Sequence, residues 1–326
     1  MTKEAFIQTI LENVNQSSEN GRVGVREVIK RNGTVRLGIT PVDSASRIQP
    51  IAYLDSCYDE YMGGRETIDS IAKRIQAVLR EDVKPEFPIQ NLYEYDNVRQ
   101  SIFPMLINFK ENEQLLGQLI HIRILDLAVI FYINWDMEGY KGTAQIRNSM
   151  MTIWNLSRQE LFTDALQNAV RHLPPICMQL EELIWKEVNE MPGDLGEERE
   201  NLAFGFPEGA LQTYVVSNSE KAFGAGVVLY PDFLAEKSEE WESDIVVLPS
   251  SIHETILIPA GDKSIMEKLT AVVKEINRDV VLKEDWLSDF IYLYEKESGY
   301  LQRIGDNGKT VERIDLKTWY QLTKEN

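Results

Sequence analysis

Cysteine and histidine are scarce in this chain. Only Cys57 and Cys177 occur in 326 residues, far apart and outside any Cys-x-x-Cys pair, which excludes a disulfide scaffold and fits a reducing compartment. The three histidines, His121, His172 and His253, form no His-x-x-x-His or Cys–His arrangement, so the ligand set of a structural zinc is missing. Carboxylates are plentiful, but spacing along a chain does not show convergence; a carboxylate-held Mg²⁺ stays open, and no motif asks for a metal or a cofactor. Long apolar runs are lacking too. The longest, Leu125 to Ile133, is broken by Asp126 and falls short of the ~20 residues of a membrane span. The start, Met1-Thr2-Lys3-Glu4, leads into an amphipathic pattern with Glu4 and Glu12 in it, unlike a secretory signal or a transit peptide. The expectation is a cytoplasmic protein with no membrane partner.

Positive charge is also short, with 34 Lys and Arg against 52 Asp and Glu and a formal net charge of −18. Such a chain repels phosphate backbones, so nucleic-acid binding would require a local basic patch. None stands out along the sequence, and no nucleic-acid partner is expected. The clearest charge concentrations, Glu181 to Glu200 and Glu236 to Asp244, are acidic, which makes a basic protein surface the expected macromolecular partner, with a small ligand as the other possibility. Gly224-Ala225-Gly226 lacks the third glycine of a dinucleotide fingerprint and the Gly-Lys-Ser/Thr of a P-loop; it reads as a turn or a close backbone approach.

The remaining composition, 43% hydrophobic, is that of a globular protein able to bury a normal core. Phe6, Ile7, Ile10, Leu11 and Val14 recur at helical spacing behind a possible Thr2 cap. Val23 to Ile39 contains Asn32-Gly33, a turn dipeptide suited to positive φ, and predicts a hairpin. A third strand near Ile48 to Leu54 and a helix bearing Ile68, Ile71, Ala72, Ile75, Val78 and Leu79 complete an αβββα unit, and Pro85 and Pro88 mark a connection. Later strands are predicted at Met105 to Phe109, His121 to Ile133, Ala144 to Arg147, Ile245 to Leu248 and Thr255 to Ile258, with a closing hairpin at Phe290 to Tyr294 and Tyr300 to Ile304. Ser157-Arg158-Gln159-Glu160 and Ser264-Ile265-Met266-Glu267 have capping-box spacing ahead of amphipathic stretches. The fold class that follows is α+β: mostly antiparallel sheets with helices packed on one face, in two units, 1–90 and 91–326, the second carrying an acidic insertion near 181–210. Oligomeric state is not legible.

Chemistry is densest in Leu248-Pro249-Ser250-Ser251-Ile252-His253-Glu254-Thr255, where two hydroxyls, an imidazole and a carboxylate share one link between strands. A serine nucleophile needs a base within hydrogen-bond reach and an acid to orient that base. Ser250, Ser251, His253 and Glu254 supply these types, but neighbours on an extended chain point apart. The competing reading is a turn whose hydroxyls bind local backbone. Arg147 and Asn148 form a second polar group, and with Ser250 and His253 they are the candidate ligand contacts. Arg171 and His172 suit the negative end of a helix and need no ligand.

Several strings together carry a family likeness: Asp126 to Tyr132, Ile146-Arg147-Asn148, Trp154 with its following helix, Tyr214 to Asn218, Gly224-Ala225, Leu229-Tyr230 and Leu248-Pro249-Ser250-Ser251-Ile252-His253-Glu254. The chain resembles the bacterial domain-of-unknown-function family 5688 over most of its length. The order of elements is also distantly similar to the YtpQ-like uncharacterised family. Neither resemblance brings an activity. They imply a bacterial cytoplasmic α+β protein whose site, if it has one, includes the Ser-Ser-Ile-His-Glu loop. The leading expectation is a non-catalytic protein- or ligand-binding protein. The alternative is a hydrolase using Ser250 or Ser251 with His253 and Glu254. A third reading, an acidic mimic of nucleic acid, is opposed by interspersed Lys and Arg.

Overall fold

The computed structural model describes residues 1–16, 22–42, 51–80, 92–137, 140–190, 211–260 and 266–322. The chain divides into two units, Met1–Pro88 and Ile89–Asn326.

In the first unit, helix α1 (Lys3–Gln16) buries Phe6, Ile10 and Val14, and the Thr2 hydroxyl oxygen accepts from the Ala5 N–H at its start (3.3 Å). Strands β1 (Val23–Ile29) and β2 (Val35–Pro41) form the predicted hairpin. Asn32 (φ 55°) and Gly33 (φ 62°) both take left-handed conformations, and the Thr34 N–H closes the turn on the Arg31 carbonyl at 3.1 Å. The third strand is shorter than expected: β3 is Ala52–Tyr53, and residues 43–50 lie outside the described set. Helices α2 (Asp55–Met62) and α3 (Ile68–Arg80) follow. One face of the antiparallel sheet turns Val23, Ile39 and Ala52 into a core with Phe6, Ile10, Val14, Ile71, Ala72 and Ile75.

The second unit begins with α4 (Tyr95–Val98), β4 (Ile102–Asn108), α5 (Glu113–Leu116), β5 (His121–Ile124), β6 (Leu127–Met137) and β7 (Tyr140–Gln145). The apolar run from His121 to Ile133 is two strands rather than one. The chain reverses at Leu125-Asp126, where Leu125 takes φ 52°, and β5 folds back on β6 with Arg123 opposite Ala128. The apolar run does not show this break, because from Ile124 to Ile133 the chain is buried almost throughout and Asp126 is its one charged residue. Strand β6 pairs β4 on one side, and β5 and then β7 on the other.

After α6 (Asn148–Trp154), helix α7 (Arg158–His172) starts on the predicted capping box: the Glu160 N–H donates to Ser157 Oγ (3.2 Å) and the Ser157 N–H to the Glu160 carboxylate (2.9 Å). Then come β8 (Pro175–Gln179), α8 (Leu180–Glu190), β9 (Tyr214–Asn218), a 3₁₀ turn over Gly224–Leu229, α9 (Phe233–Glu240), β10 (Ile245–Leu248), β11 (Thr255–Pro259), α10 (Met266–Asp279), β12 (Ile291–Tyr294), β13 (Tyr300–Ile304), β14 (Thr310–Asp315) and α11 (Leu316–Leu322). The seven-stranded sheet runs β14-β13-β12-β10-β11-β9-β8, every pairing antiparallel. Its central strands are buried on both faces. Val246, Leu248, Ile258, Ile291 and Leu293 pack with Met266 and Val273 of α10, while Ile245, Val247, Leu257 and Tyr292 join the larger core. Burial on both sides is why Ile245 to Leu248 reads as an unbroken apolar run. The α+β class with antiparallel sheets is the observed architecture. Strands β8, β9 and β14 are additions to the sequence reading. The Ser264 cap, the Pro85–Pro88 connection and most of the acidic insertion (191–210) fall outside the described residues.

Candidate functional site

Strand order builds the site. Strand β9 ends at Asn218 beside the start of β11, with Val216 opposite Thr255, and β10 ends beside the start of β12, with Val247 opposite Tyr292. Three connections therefore meet at one end of the seven-stranded sheet: residues 219–223, the loop 249–254, and 282–290.

Backbone bonds knit them together. The Ile252 N–H donates to the Asp285 carbonyl (2.9 Å), the Ala225 N–H to the Ile252 carbonyl (3.2 Å), and the Ser217 hydroxyl to the His253 carbonyl (2.8 Å). Asn218, buried, holds its own loop: its Oδ1 accepts from the Glu220 and Ala222 N–H groups and its Nδ2 donates to the Ala222 carbonyl (2.8 Å). Gly224 sits where these strands cross. A Cβ there would strike the Ser217 hydroxyl and come within 2.6 Å of the Asn218 nitrogen and 2.7 Å of the His253 carbonyl oxygen, so the Gly-x-Gly string marks a close backbone approach rather than a phosphate cradle.

The imidazole of His253 lies at the surface of this junction, its side chain 38% exposed. The Phe223 N–H donates to Nδ1 (3.2 Å), and the Phe223 ring stacks on the imidazole with centroids 5.5 Å apart. A neutral imidazole that accepts at Nδ1 carries its proton at Nε2. That nitrogen faces Asp285 Oδ1 at 3.7 Å, beyond hydrogen-bond length but electrostatically favourable. The Ser251 hydroxyl oxygen accepts from the His253 backbone N–H (3.0 Å), a local serine turn of the expected kind. Among the described residues, no serine hydroxyl is hydrogen-bonded to the imidazole, and neither the Ser250 hydroxyl nor the Glu254 carboxylate takes part in the junction. What remains chemically available is one N–H donor beside a carboxylate, an arrangement that can recognise an acceptor but offers no free lone pair for deprotonating a nucleophile.

Arg147 and Asn148 are engaged elsewhere. The Arg147 guanidinium donates to Gln118 Oε1 (2.8 Å) and Asn148 Nδ2 to the Gly117 carbonyl (3.1 Å), fastening the start of α6 to the turn after α5. No hydrogen bond or ion pair among the described residues joins them to His253. Arg171 and His172 sit in the last turn of α7, where the helix dipole accounts for them. The sequence reading marked Gly224 as a close backbone approach but gave no role to Asn218, Phe223 or Asp285. All but Phe223 and Asp285 lie within the strings that carry the family likeness, and nothing local could pair His253 with an aspartate 32 positions on.

Deeper in the unit a second polar group is internal. Asp126 accepts from the Tyr292 hydroxyl (2.9 Å) and the Ser288 hydroxyl (2.7 Å), and Arg303 Nε stands 3.9 Å away. Burial first, and then the Asp126 charge, push the Tyr292 hydroxyl well above the ordinary tyrosine range, so it stays a neutral donor. Among the described residues no group of three or more His, Cys, Asp or Glu is placed to hold a metal, both cysteines are free thiols, and no helix is long and apolar enough to cross a membrane.

Fold and junction together define an antiparallel α+β protein whose most polar loop is tied down by its own backbone. A model of a family of unknown function, DUF5688, matches residues 3–296, and the chain belongs to that family. No curated protein and no solved structure matches it, and nothing in these comparisons adds the YtpQ-like similarity.

Proposed function

We propose that this is a non-catalytic binding protein of the bacterial cytoplasm whose C-terminal unit receives a basic protein surface. The observation that carries the non-catalytic part is the Phe223 N–H donated to His253 Nδ1, because an imidazole that accepts at Nδ1 carries its proton on Nε2, the nitrogen whose lone pair a serine hydrolase uses as its base. The partner chemistry is supported by the division of charge. Met1–Pro88 holds 12 basic and 13 acidic residues, net −1, whereas Ile89–Asn326 holds 22 and 39, net −17.

Two measurements test the reading. Purified protein on ester and amide panels should show no turnover above background, and His253→Ala should lower the melting temperature by loosening three connections. Turnover that disappears in His253→Ala and in Ser250→Ala or Ser251→Ala, at unchanged melting temperature, would establish the hydrolase instead. Binding of a lysine-rich peptide, followed by fluorescence anisotropy, should weaken in Glu236→Lys/Glu242→Lys, two exposed acids around α9. The control Glu111→Lys/Glu113→Lys, equally exposed, should leave it nearly unchanged. Equal loss in both pairs would reduce the effect to bulk charge and remove the binding surface.

A further inference from the structure

The β1–β2 hairpin departs from the charge of the rest of the chain. Residues 22–36 hold Arg22, Arg26, Lys30, Arg31 and Arg36 against a single carboxylate, Glu27, a basic patch that the linear reading overlooked. Register collects the cations. Arg26 lies opposite Gly38 and Arg36 opposite Val28, so alternation places both arginines on one face as diagonal neighbours. Tyr53, opposite Gly38 on β3, shares that face, with Lys30 Nζ 4.7 Å and Arg36 Cζ 5.7 Å from the centre of its ring. The other face sends Val23 and Ile39 into the core, yet leaves Val25, Ile29 and Val35 40%, 64% and 51% exposed, the last two facing each other beside the turn.

We propose that this hairpin docks on an acidic protein surface, and that the surface is the C-terminal unit of a second copy of this chain. The proposal rests on the reading of that unit as the receiver of a basic partner, and it names the partner. Charge complementarity supplies the attraction: a net +4 within 15 residues meets a unit of net −17. The exposed aliphatics select protein over nucleic acid, because a phosphate backbone gives Val25, Ile29 and Val35 nothing to pack against, whereas a protein surface does. Arg26 and Glu27 on the edge strand β1 disfavour simple strand addition. One hairpin buries less than the ~800 Å² per partner of a stable complex, so the association is weak and salt-sensitive. The two surfaces differ, which makes the contact head-to-tail.

Sedimentation velocity of the full chain over a concentration series tests this. At low ionic strength the mass should rise above the 37.5 kDa monomer, and it should return to monomer near ~1 M NaCl, where screening acts within about 3 Å. Arg26→Glu/Arg36→Glu should weaken self-association by roughly tenfold or more, as should Ile29→Ser/Val35→Ser. Glu236→Lys/Glu242→Lys should do the same alone, and its mixture with Arg26→Glu/Arg36→Glu should associate again, because the intact hairpin of the first variant then meets the intact acidic unit of the second. A parent that stays monomeric at every concentration overturns the proposal. If the monomer still binds the lysine-rich peptide through Glu236 and Glu242, the binding reading survives without self-docking; if it binds neither, both fall. Salt-sensitive binding of a duplex or single-stranded oligonucleotide, lost in Arg26→Glu/Arg36→Glu without any self-association, would make nucleic acid the occupant and end the proposal.

Discussion

The β1–β2 hairpin of the first unit and the 249–254 loop of the second are both short, polar and placed beside strands, yet they spend their polar groups in opposite directions. The hairpin gathers Lys30 and Arg36, both half-buried, about the Tyr53 ring and exposes Arg26. In the loop, His253 Nδ1 accepts from the backbone of a neighbouring connection and the Ser251 hydroxyl oxygen from the loop's own backbone. Polar residue types alone do not mark a site; what matters is whether their hydrogen-bonding capacity is already consumed. In the loop, Nδ1 of His253 is engaged by the Phe223 N–H, whereas the hairpin presents Val25, Arg26, Ile29 and Val35 at its surface.

Glycine gives the sharpest contrast between the two regions. Gly224→Ala should cost about 3 kcal/mol or more, since its Cβ would have to displace backbone atoms of β9 and of the 249–254 loop. Gly33→Ala, at φ +62° with nothing within 4 Å of the added carbon, should cost only about 1 kcal/mol of backbone strain. Urea unfolding of both variants measures the difference, and equal costs would erase the distinction between a held junction and an open turn.

Next in size is Asp126→Ala, expected to cost about 2 kcal/mol, because it strips the acceptor from the buried Tyr292 and Ser288 hydroxyls. Adding Tyr292→Phe should recover part of that loss. Failure to recover any would mean that Asp126 acts through something other than these bonds.

Thr255→Val should go the other way. The Thr255 hydroxyl is buried without a hydrogen-bond partner and lines a small cavity of about 20 Å³ with Leu106, Val247 and Leu287. Replacing the hydroxyl by a methyl group should stabilise the protein by about 1 kcal/mol, read as a higher urea midpoint at unchanged slope. Arg26→Ala, in contrast, should stay within about 0.5 kcal/mol of the parent, as an outward-facing side chain does; a large loss would show the hairpin to be as internally committed as the loop.

The smallest expected effect is a pH slope. Hydrogen bonds from the Ser157 hydroxyl and N–H hold the Glu160 carboxyl below its ordinary range. A depressed folded-state pKa contributes stability that is present above the unfolded value and lost as pH falls through the folded one. Glu160→Gln keeps a capping acceptor but should remove that share of the acid sensitivity, seen as a shallower fall of melting temperature on acidification.

Local signals in the sequence determined the parts of this protein that close over a few residues. The Ser157–Glu160 box, the Asn32-Gly33 turn, the apolar stripe of α3 and the continuous apolar runs of β10 and β11 are each complete within a short window, so residue order suffices to specify them. The family likeness came from the same kind of information, strings of adjacent residues. Tertiary structure decided what required distant segments to meet. The reversal at Leu125-Asp126 is set only when β5 pairs back on β6, since leucine is no turn former by type and Leu125 takes a left-handed φ. The junction of Asn218, Gly224, His253 and Asp285 depends on β9 lying beside β11 and β10 beside β12, an order that the strand sequences do not encode because doubly buried strands look alike. The gathering of Arg26 and Arg36 on one face depends on register, since shifting the hairpin by one residue would send each side chain to the opposite face. Charge was written in the sequence; the surface on which it acts was set only when the strands paired.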